Sequence, residues 1–400
     1  MNNYVIIGNG VAAVGCIEGI RSVDKEGKIT VVSEEKHHVY GRPLISYYLE
    51  GKTDLERMNY RPLGFYEEMG CEVLYGRKAI KIDNESKNVV LDDGANLPYT
   101  SVCVATGSSP FVPPVEGLET VEQKYTFMTL DDALALQKAV NSDSRVLIVG
   151  AGLIGLKCAE GIHGIVKSIT VCDLADRVLS SILDSEAAAI IQRHLEESGI
   201  SFMLSDTAAR FDKNTAYMKS GKEIGFDVLV MAVGVRPNVS LVKDLGGEVN
   251  RGILVNDRME TSLPGIYAAG DCTEGNDITI GAKRVLALLP NAYMQGECAG
   301  LNMAGVDFTF DQAFPMNSIG LLGKHIMTAG TYAGEIYIEK DENNYKKLFY
   351  SGNRLNGFIL IGNIEKAGIY TSLIRERTPL DTLDFELVCK MPGLMAFSRK

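Results

Sequence analysis

The sequence lacks closely spaced cysteines, because no two of them form a C-x-x-C pair. Zinc, iron–sulfur and dithiol sites need neighbouring thiolates, so the sequence predicts no such site and no metal. Most of the cysteines stand among apolar or small residues, which predicts reduced, buried thiols in a cytoplasmic protein. The eight positions are Cys16, Cys71, Cys103, Cys158, Cys172, Cys272, Cys298 and Cys389.

Long apolar runs and basic tracts are also missing. Stretches such as "VLIVGAGLIGL" are far shorter than a bilayer-spanning helix. The first residues, "MNNYVIIGNG", lack the basic region of a secretory signal peptide, so no export is expected. The net charge is −11, and lysine and arginine form no cluster. The sequence therefore predicts neither a membrane nor a nucleic acid as partner. Its 400 residues predict two or three domains.

What the sequence does contain is a glycine cluster directly after the first apolar run, "YVIIGNGVAAVGCIEGI". Gly8, Gly10 and Ala13 follow the pattern G-x-G-x-x-A, which is typical of a strand-to-helix turn that binds a dinucleotide pyrophosphate. The next apolar run, "KITVVSEE", ends in Glu34 and Glu35. Glu34 stands 26 positions after Gly8 and is favoured as the carboxylate that binds a ribose hydroxyl, with Glu35 as the alternative.

A second cluster, "RVLIVGAGLIG", repeats this pattern about 140 residues later. Its strand–turn–helix signature predicts a second dinucleotide site. The motif consists of Gly150, Gly152, Leu153, Ile154 and Gly155. The following run, "SITVCD", ends at Asp173, and a carboxylate there accepts ribose hydroxyls and repels a 2′-phosphate. The sequence thus favours NAD over NADP.

Three further apolar runs end in small residues that let a backbone approach a ligand. They end at Ala105-Thr106-Gly107, at Gly234 and at Gly270-Asp271. Asp271 is the charged residue of this set. It follows a strand at the carboxyl end of the predicted sheet, where ligands of open α/β sheets bind. A helix N-cap is its alternative role.

The motifs "GNGVAA", "ATGS", "GAGLIG", "AVGVRPN" and "RGILVNDRMETSLPGIYAAGD", in this order, resemble the FAD- and NAD-dependent pyridine nucleotide–disulfide oxidoreductase superfamily. More narrowly, the chain is similar to the NADH:rubredoxin reductase and ferredoxin reductase branch. It also resembles the flavin subunits of anaerobic oxidoreductase complexes that exchange electrons with NAD. The resemblance implies FAD at the first glycine cluster and NAD(H) at the second.

The resemblance also implies roles for single residues toward FAD. Glu34 would bind the adenosine ribose, Ala79 would meet the adenine through its backbone, and Asp271 would bind the ribityl chain beside Gly270. "YGRPLIS" resembles the family's arginine–proline loop, so Arg42 would contact FAD, with an exposed surface arginine as the alternative. Asn291 and Ala292, in "LLPNAYMQG", would lie nearest the flavin ring.

Two positions depart from the family pattern. Tyr47 stands where relatives often have lysine, and Lys157 stands where many have glutamate, so neither residue is assigned a catalytic role. The chain has no cysteine between Cys16 and Cys71, which argues against disulfide reduction and thiol-based peroxide reduction. No protein nucleophile or acid–base pair is predicted, so the bound cofactors supply the chemistry.

The predicted fold class is α/β, with two Rossmann-like dinucleotide-binding domains and a small C-terminal α+β interface domain. The predicted FAD-binding domain is discontinuous and comprises residues 1–113 and 238–308. Residues 114–237 form the predicted NAD-binding domain, and residues 309–400 form the C-terminal one. In the C-terminal part, "NYKKLFYSGNRLNGFILIGN" predicts a hairpin and "EKAGIYTSLIRERTP" a helix. The resemblance implies that this part forms a homodimer contact or docks a partner, with plain scaffold as the alternative.

The function so predicted is electron transfer between NADH and a one-electron carrier, of the rubredoxin or ferredoxin type, through bound FAD. The iron–sulfur subunit of a larger complex is an equal candidate for the partner. The alternatives are an NADH oxidase that reduces oxygen directly and a flavin-holding structural or sensor subunit. Docking of an acidic carrier by this acidic chain would need a local basic patch, for which the candidates are Lys346, Lys347, Arg375 and Arg377.

Overall fold

The computed structural model describes residues 1–393, which pack as two compact units. The first unit consists of residues 1–41, 56–109 and 236–315. The second unit consists of residues 42–55, 110–235 and the described chain from residue 316 onward. The predicted three-domain division stays a prediction, and the last seven residues of its C-terminal domain lie outside the described residues.

A five-stranded parallel sheet forms the core of the first unit. Its spatial order is Ile266–Ala268, Ser101–Val104, Asn3–Ile7, Lys28–Ser33 and Cys71–Tyr75. Residues 4–7 of the central strand "NYVII" are all apolar and buried, because helices and neighbouring strands cover both faces of the sheet. Residue Ile7 lies opposite Val32 on one side and Val104 on the other, so the strands all end at the same edge.

Two long helices of the first unit pack backbone against backbone. Helix Val11–Val23 follows the first glycine cluster, and helix Leu289–Met303 lies against it. Glycines at the contact make the close approach feasible, because a Cβ on Gly15 would stand 2.9 Å from the backbone nitrogen of Glu297. A Cβ on Gly19, Gly296 or Gly300 would likewise overlap backbone atoms of the facing helix.

The remaining elements of the first unit are short. They are the antiparallel strands Ala79–Asp83, Asn88–Leu91 and Asn96–Pro98, the strands Ile253–Leu254, Thr273–Asp277 and Ala282–Arg284, and the helices Phe65–Glu68 and Ser240–Lys243. The strands Ser108–Pro110 and Val235–Pro237 stand where the chain passes between the units.

The second unit repeats the parallel sheet. Its spatial order is Ile200–Leu204, Ser168–Asp173, Arg145–Val149, Val228–Met231 and Lys124–Tyr125. Helices Leu130–Ala139, Leu153–Ile162 and Ser185–Glu197 belong to this part. A capping box of Thr129 and Asp132 starts the first of these helices, and the Asp184 carboxylate accepts the Ala187 N–H at the start of the third.

The same unit holds a five-stranded antiparallel sheet near the C-terminus. Its spatial order is Met316–Leu321, Lys324–Gly330, Arg354–Ile361, Tyr345–Ser351 and Glu335–Lys340. The other elements are strands Ala208–Asp212, Thr215–Met218 and Glu223–Gly225, helices Ile45–Leu49, Ala367–Arg375 and Phe385–Lys390, and 3₁₀ turns Arg42–Leu44, Leu118–Thr120 and Leu380–Thr382. The predicted hairpin is confirmed, with Ser351 opposite Arg354, and so is the helix that ends before Pro379.

The predicted α/β class, with two Rossmann-like sheets and a C-terminal α+β part, is therefore confirmed. The docking patch expected in the C-terminal part stays a prediction. Two of its candidate residues have carboxylate partners, since Lys347 pairs with Asp184 at 2.7 Å and Lys346 pairs with Glu339 at 2.6 Å. Among residues 1–393, no helix has the length and apolar character needed to cross a membrane.

Candidate functional site

The first glycine cluster lies where the strand Asn3–Ile7 passes into its helix. Gly8 has φ +115°, and a Cβ there would stand 2.6 Å from the carbonyl carbon of Ala105, so no other residue fits this turn. Nothing lies within 4 Å of the Cβ position of Gly10, the residue that precedes the helix. Ala13 is fully buried. The open position at Gly10 leaves room for a pyrophosphate at the helix N-terminus.

The second cluster has the same geometry. Gly150 has φ +120°, and its Cβ would stand 2.6 Å from the carbonyl carbon of Ala232. The Cβ position of Gly152 is open, whereas that of Gly155 stands 3.1 Å from the carbonyl carbon of Gly150. Leu153 and Ile154 are half-buried in the first turn of the helix. Both predicted motifs thus form a turn with one open glycine facing the helix N-terminus.

The hydrogen-bond register of the two sheets shows which residues are equivalent. The Gly8 N–H donates to the Val32 carbonyl at 2.8 Å, and the Gly150 N–H donates to the Cys172 carbonyl at 2.7 Å. The residue after Val32 is Ser33, and the residue after Cys172 is Asp173. Ser33, which the sequence analysis did not single out, therefore stands where the second sheet has its carboxylate. Only strand register reveals this, since motif spacing alone pointed to Glu34.

Asp173 is joined to the glycine loop in front of it. Its Oδ2 accepts the Ala151 N–H at 2.6 Å, and its Oδ1 accepts the Ala175 N–H at 2.7 Å. These bonds fix the carboxylate at the end of its strand, where further lone pairs remain for ribose hydroxyls. The side chains that follow add no free cation, because Arg177 pairs with Asp176 at 2.7 Å.

Glu34 and Glu35 differ in their surroundings. The Glu34 side chain is 70 % exposed and pairs with Lys78 at 3.0 Å. The Glu35 side chain is half-buried and accepts the Tyr40 hydroxyl at 2.6 Å. Ser33 donates its own hydroxyl to the Glu35 carbonyl at 2.7 Å. The ribose role of either glutamate stays a prediction.

The turn Ala105-Thr106-Gly107 is held by a residue that sequence reasoning had quoted but not assigned, Asn238. The Asn238 side chain donates to the Thr106 carbonyl at 2.9 Å, and the Thr106 hydroxyl donates to the Asn238 carbonyl at 2.9 Å. The Asn238 N–H donates to the Gly107 carbonyl at 2.9 Å. Asn238 therefore fixes the backbone of this turn next to Gly8.

Gly270 and the start of helix Leu289–Met303 lie together in the first unit. A Cβ on Gly270 would stand 3.0 Å from the Ala12 methyl and 3.7 Å from the Ala292 methyl, while its N–H donates to Gln295 Oε1 at 2.9 Å. Asn291 is buried and donates to the Phe314 carbonyl at 3.3 Å. Asp271, which follows Gly270, is half-buried. The structure thus places Gly270 between Ala12 of the first glycine helix and Ala292, with Asp271 and Asn291 next to them along the chain.

The remaining predicted residues are distributed over both units. Ala79 is buried at the start of a first-unit strand, next to a β-bulge. Arg42 belongs to the second unit, where its guanidinium donates to the Met128 carbonyl at 3.2 Å. Gly234 also belongs to the second unit, and its carbonyl accepts the Phe111 N–H at 2.9 Å.

Comparison with known proteins bears on this pair of sites. Residues 2–296 match the family described as pyridine nucleotide-disulphide oxidoreductase. The chain belongs to this family. Residues 315–378 further match the rubredoxin NAD+ reductase C-terminal domain. The predicted resemblance is thereby confirmed.

Two curated relatives and one solved structure illustrate the family. The assimilatory nitrate reductase electron transfer subunit of Bacillus subtilis (strain 168) is 32 % identical over 93 % of this chain, which spans only 49 % of that protein. The NADH-dependent phenylglyoxylate dehydrogenase subunit epsilon of Aromatoleum evansii is 32 % identical, covering 95 % of this chain and 93 % of the relative. The covalent putidaredoxin reductase–putidaredoxin complex shares the fold, with TM-score 0.90, 24 % identity, and 98 % and 97 % coverage.

As a pyridine nucleotide-disulphide oxidoreductase family member, the chain is an oxidoreductase whose cofactors are FAD and NAD(H), as predicted. The residues fit two dinucleotides, because each unit offers a helix N-terminus with an open glycine and free space for phosphates. All eight cysteines are free thiols, and burial raises the pKa of Cys272 to about 12 and that of Cys71 to about 11. Within residues 1–393, no three His, Cys, Asp or Glu side chains group as metal ligands.

The two departures from the family pattern, Tyr47 and Lys157, contact each other. The Lys157 ammonium lies 4.2 Å from the Tyr47 ring centroid, pairs with Glu160, and donates to the Gly320 carbonyl at 3.2 Å. Glu160 is 3 % exposed, and its Oε1 accepts the Leu322 N–H at 2.7 Å. The Lys157–Glu160 ion pair therefore holds the turn around Leu322, in the C-terminal sheet, against the helix that follows the second glycine cluster.

Replacing Glu160 by glutamine is expected to lower the melting temperature by about 3–6 °C. The amide keeps the acceptor for Leu322 but leaves Lys157 half-buried without its counter-charge, which costs about 1.5 kcal/mol. Thermal unfolding followed by circular dichroism measures the change. Glu386→Gln is the matched control, since Glu386 and Lys390 form an exposed helical pair and no measurable shift is expected. Equal shifts in the two variants would contradict the expectation.

Proposed function

We propose that the chain is an NADH-dependent flavoprotein reductase that passes electrons through FAD to a one-electron carrier. The observation that carries this proposal is the presence of two complete glycine turns with different strand-end residues, Ser33 and Asp173, in a chain without a thiol pair. The carrier is a small iron–sulfur or rubredoxin-type protein, or the iron–sulfur subunit of a complex that contains this chain.

FAD is assigned to the first unit. Gly8, Gly10 and Ala13 would hold the pyrophosphate at the helix N-terminus, supported by the open Cβ position of Gly10. Glu34 or Glu35 would bind the adenosine ribose and Ala79 would meet the adenine. The turn Ala105-Thr106-Gly107, with Gly270, Asp271, Asn291 and Ala292, would line the remainder of the cofactor.

NAD(H) is assigned to the second unit. Gly150, Gly152 and Gly155 would hold its pyrophosphate, with Leu153 and Ile154 in the first helical turn and Gly234 at the neighbouring strand end. Asp173 would accept the adenosine ribose hydroxyls, and its negative charge would disfavour the 2′-phosphate of NADPH. The absence of a free cation among the residues that directly follow Asp173 supports this preference, since Arg177 is paired with Asp176.

When bound, NADH supplies a hydride and FAD accepts two electrons that it can release singly. The chain itself binds and orients the two cofactors, and it offers no pair of neighbouring thiols that would take up the electrons. The raised thiol pKa values of Cys71 and Cys272 are consistent with this role, because neither thiol ionises near neutral pH. The free cysteines also support a reducing, cytoplasmic setting.

Support for a carrier partner comes from the relatives. The C-terminal match is to a rubredoxin NAD+ reductase domain, and the relative from Bacillus subtilis is named as an electron transfer subunit. The chain spans about half of that relative, so the acceptor of the larger protein is not carried over. Arg42 as an FAD contact and a homodimer through the C-terminal sheet stay predictions.

The experiment uses purified FAD-loaded protein under anaerobic conditions. We expect NADH, but not NADPH at the same concentration, to bleach the flavin, and addition of oxidised rubredoxin or ferredoxin to restore its colour with matching reduction of the carrier. Loss of flavin colour without carrier reduction, together with fast NADH consumption in air, would favour the NADH oxidase instead. A flavin that NADH does not bleach would favour the structural or sensor subunit.

A further inference from the structure

The middle residue of each glycine loop is held by a side chain, and the two loops use different ones. In the second loop, Asp173 holds Ala151 through the N–H bond described above. In the first loop the register position of Asp173 is Ser33, whose hydroxyl donates to the Glu35 carbonyl instead. The loop residue there is Asn9, and its Oδ1 accepts a hydrogen bond from the Tyr66 hydroxyl.

We propose that Tyr66 is a positioning residue for FAD, which holds Asn9 and thereby keeps the first glycine loop shaped for the pyrophosphate. The inference rests on the proposed assignment of FAD to the first unit. Tyr66 would hold the first loop through the Asn9 side chain, whereas Asp173 holds the second through the Ala151 N–H. Tyr66 would contact the loop and not the cofactor.

The surroundings of Tyr66 suit a fixed donor. Its side chain is 7 % exposed, and its ring packs edge-on against Phe65 at 5.2 Å and His38 at 5.1 Å between centroids. His38 is itself held by a hydrogen bond between Nε2 and the Arg61 carbonyl at 3.0 Å. Burial raises the pKa of Tyr66 far above its ordinary value, so the hydroxyl keeps its proton for Asn9.

Asn9 extends the connection to the loop after the second strand. Its Nδ2 donates to the His37 carbonyl at 3.4 Å, and this bond joins the glycine loop to the segment that follows Glu34 and Glu35. Tyr66 holds the other end of the same amide, so its hydroxyl fixes the group that links the two segments. These are the two segments to which the pyrophosphate and ribose of FAD are assigned. Loss of the bond should therefore loosen both ends of the adenosine half of the site, without removing any group that binds FAD.

Tyr66→Phe is expected to raise the Kd of FAD about tenfold, which corresponds to about 1.4 kcal/mol. Asn9→Ala should raise the Kd at least as much, because it removes the bond to the His37 carbonyl as well. The double variant should have the same Kd as Asn9→Ala, because the Tyr66 hydroxyl then has no Asn9 side chain left to hold. The Kd is measured by titrating FAD into protein from which the flavin has been removed, with quenching of flavin fluorescence as the signal.

The chain offers a matched control in Tyr99. Its hydroxyl donates to Asn84 Oδ1 at 3.0 Å in the same unit, and its side chain is 5 % exposed. Tyr99→Phe removes the same kind of bond away from the glycine loop, so it should leave the Kd of FAD unchanged. The melting temperatures of the flavin-free variants are measured in parallel to separate binding from stability.

Several results would overturn the inference. They are an unchanged Kd in Tyr66→Phe, equal changes in Tyr66→Phe and Tyr99→Phe, and full additivity with Asn9→Ala. Should Tyr66→Phe not fold, the Kd of Asn9→Ala decides in the same way. Wild-type protein that fails to bind FAD would end both this inference and the proposed function, whereas wild-type binding with an unchanged variant would end this inference alone.

Discussion

Asp173→Ala is expected to lower kcat/KM for NADH about 100-fold and to leave kcat/KM for NADPH nearly unchanged. The carboxylate would accept two ribose hydroxyls, and two charge-assisted hydrogen bonds at about 1.5 kcal/mol each account for a loss of this size. Two opposite effects on NADPH binding should nearly cancel. Removal of the negative charge strengthens the binding of NADPH, whereas loss of the hydrogen bond from Ala151 weakens it by loosening the glycine loop. The preference for NADH over NADPH should therefore nearly disappear.

The measurement is the initial rate of flavin bleaching at a series of NADH and NADPH concentrations, without oxygen. Glu386→Ala is the matched control, because Glu386 is 78 % exposed, pairs with Lys390 and belongs to the C-terminal part of the same unit, away from the second glycine cluster. It should leave both rates within about twofold, as expected for an exposed ion pair. A 173 variant that keeps the wild-type preference would show that another residue reads the ribose.

Gly296→Val is expected to prevent folding of the first unit. A Cβ at this position would overlap the Ala12 carbonyl oxygen and stand 2.8 Å from its carbonyl carbon, and both atoms belong to helix backbone that cannot rotate away. Overpacking of a core by a few methyl groups costs about 1–3 kcal/mol even where side chains can shift, and here only two whole helices could move. Gly10 directly precedes the first of these helices, and Asn291 lies in the first turn of the second.

Soluble yield, FAD content and the melting temperature test this expectation. Gly64→Val serves as the control in the same unit, because Gly64 has φ −75° and only the Glu68 side-chain oxygen, at 3.5 Å, near its Cβ position. The control should express and bind FAD as the wild type does. A Gly296→Val protein with the wild-type melting temperature and flavin content would mean that the two helices are not packed as described.

Much of the fold could be read from local patterns. The runs "YVIIG" and "RVLIVG" predicted buried parallel strands because such strands are covered on both faces, and the glycines after them predicted tight turns into helices. The hairpin around Gly352 and the helix before Pro379 followed from turn residues and helix-ending signals. These features depend on residues that are neighbours along the chain.

Other features depend on partners far apart in sequence, and spacing along the chain does not reveal them. Glu34 had the expected distance from Gly8, but the strand register puts Ser33 at the position of Asp173. Lys346 and Lys347 were candidates for a docking patch, but folding brings carboxylates to both. Tyr66 has no motif of its own, and only the fold brings its hydroxyl to Asn9.

The sequence by itself determined that this chain has two dinucleotide turns and no thiol pair, because both statements concern short-range patterns of glycine, acid and cysteine. The tertiary structure alone decided which side chain holds each glycine loop and that Arg42–Leu55 packs in the second unit. Strand register and helix packing set these contacts through interactions between distant segments. For that reason two nearly identical motifs have one backbone geometry but two different sets of supporting side chains.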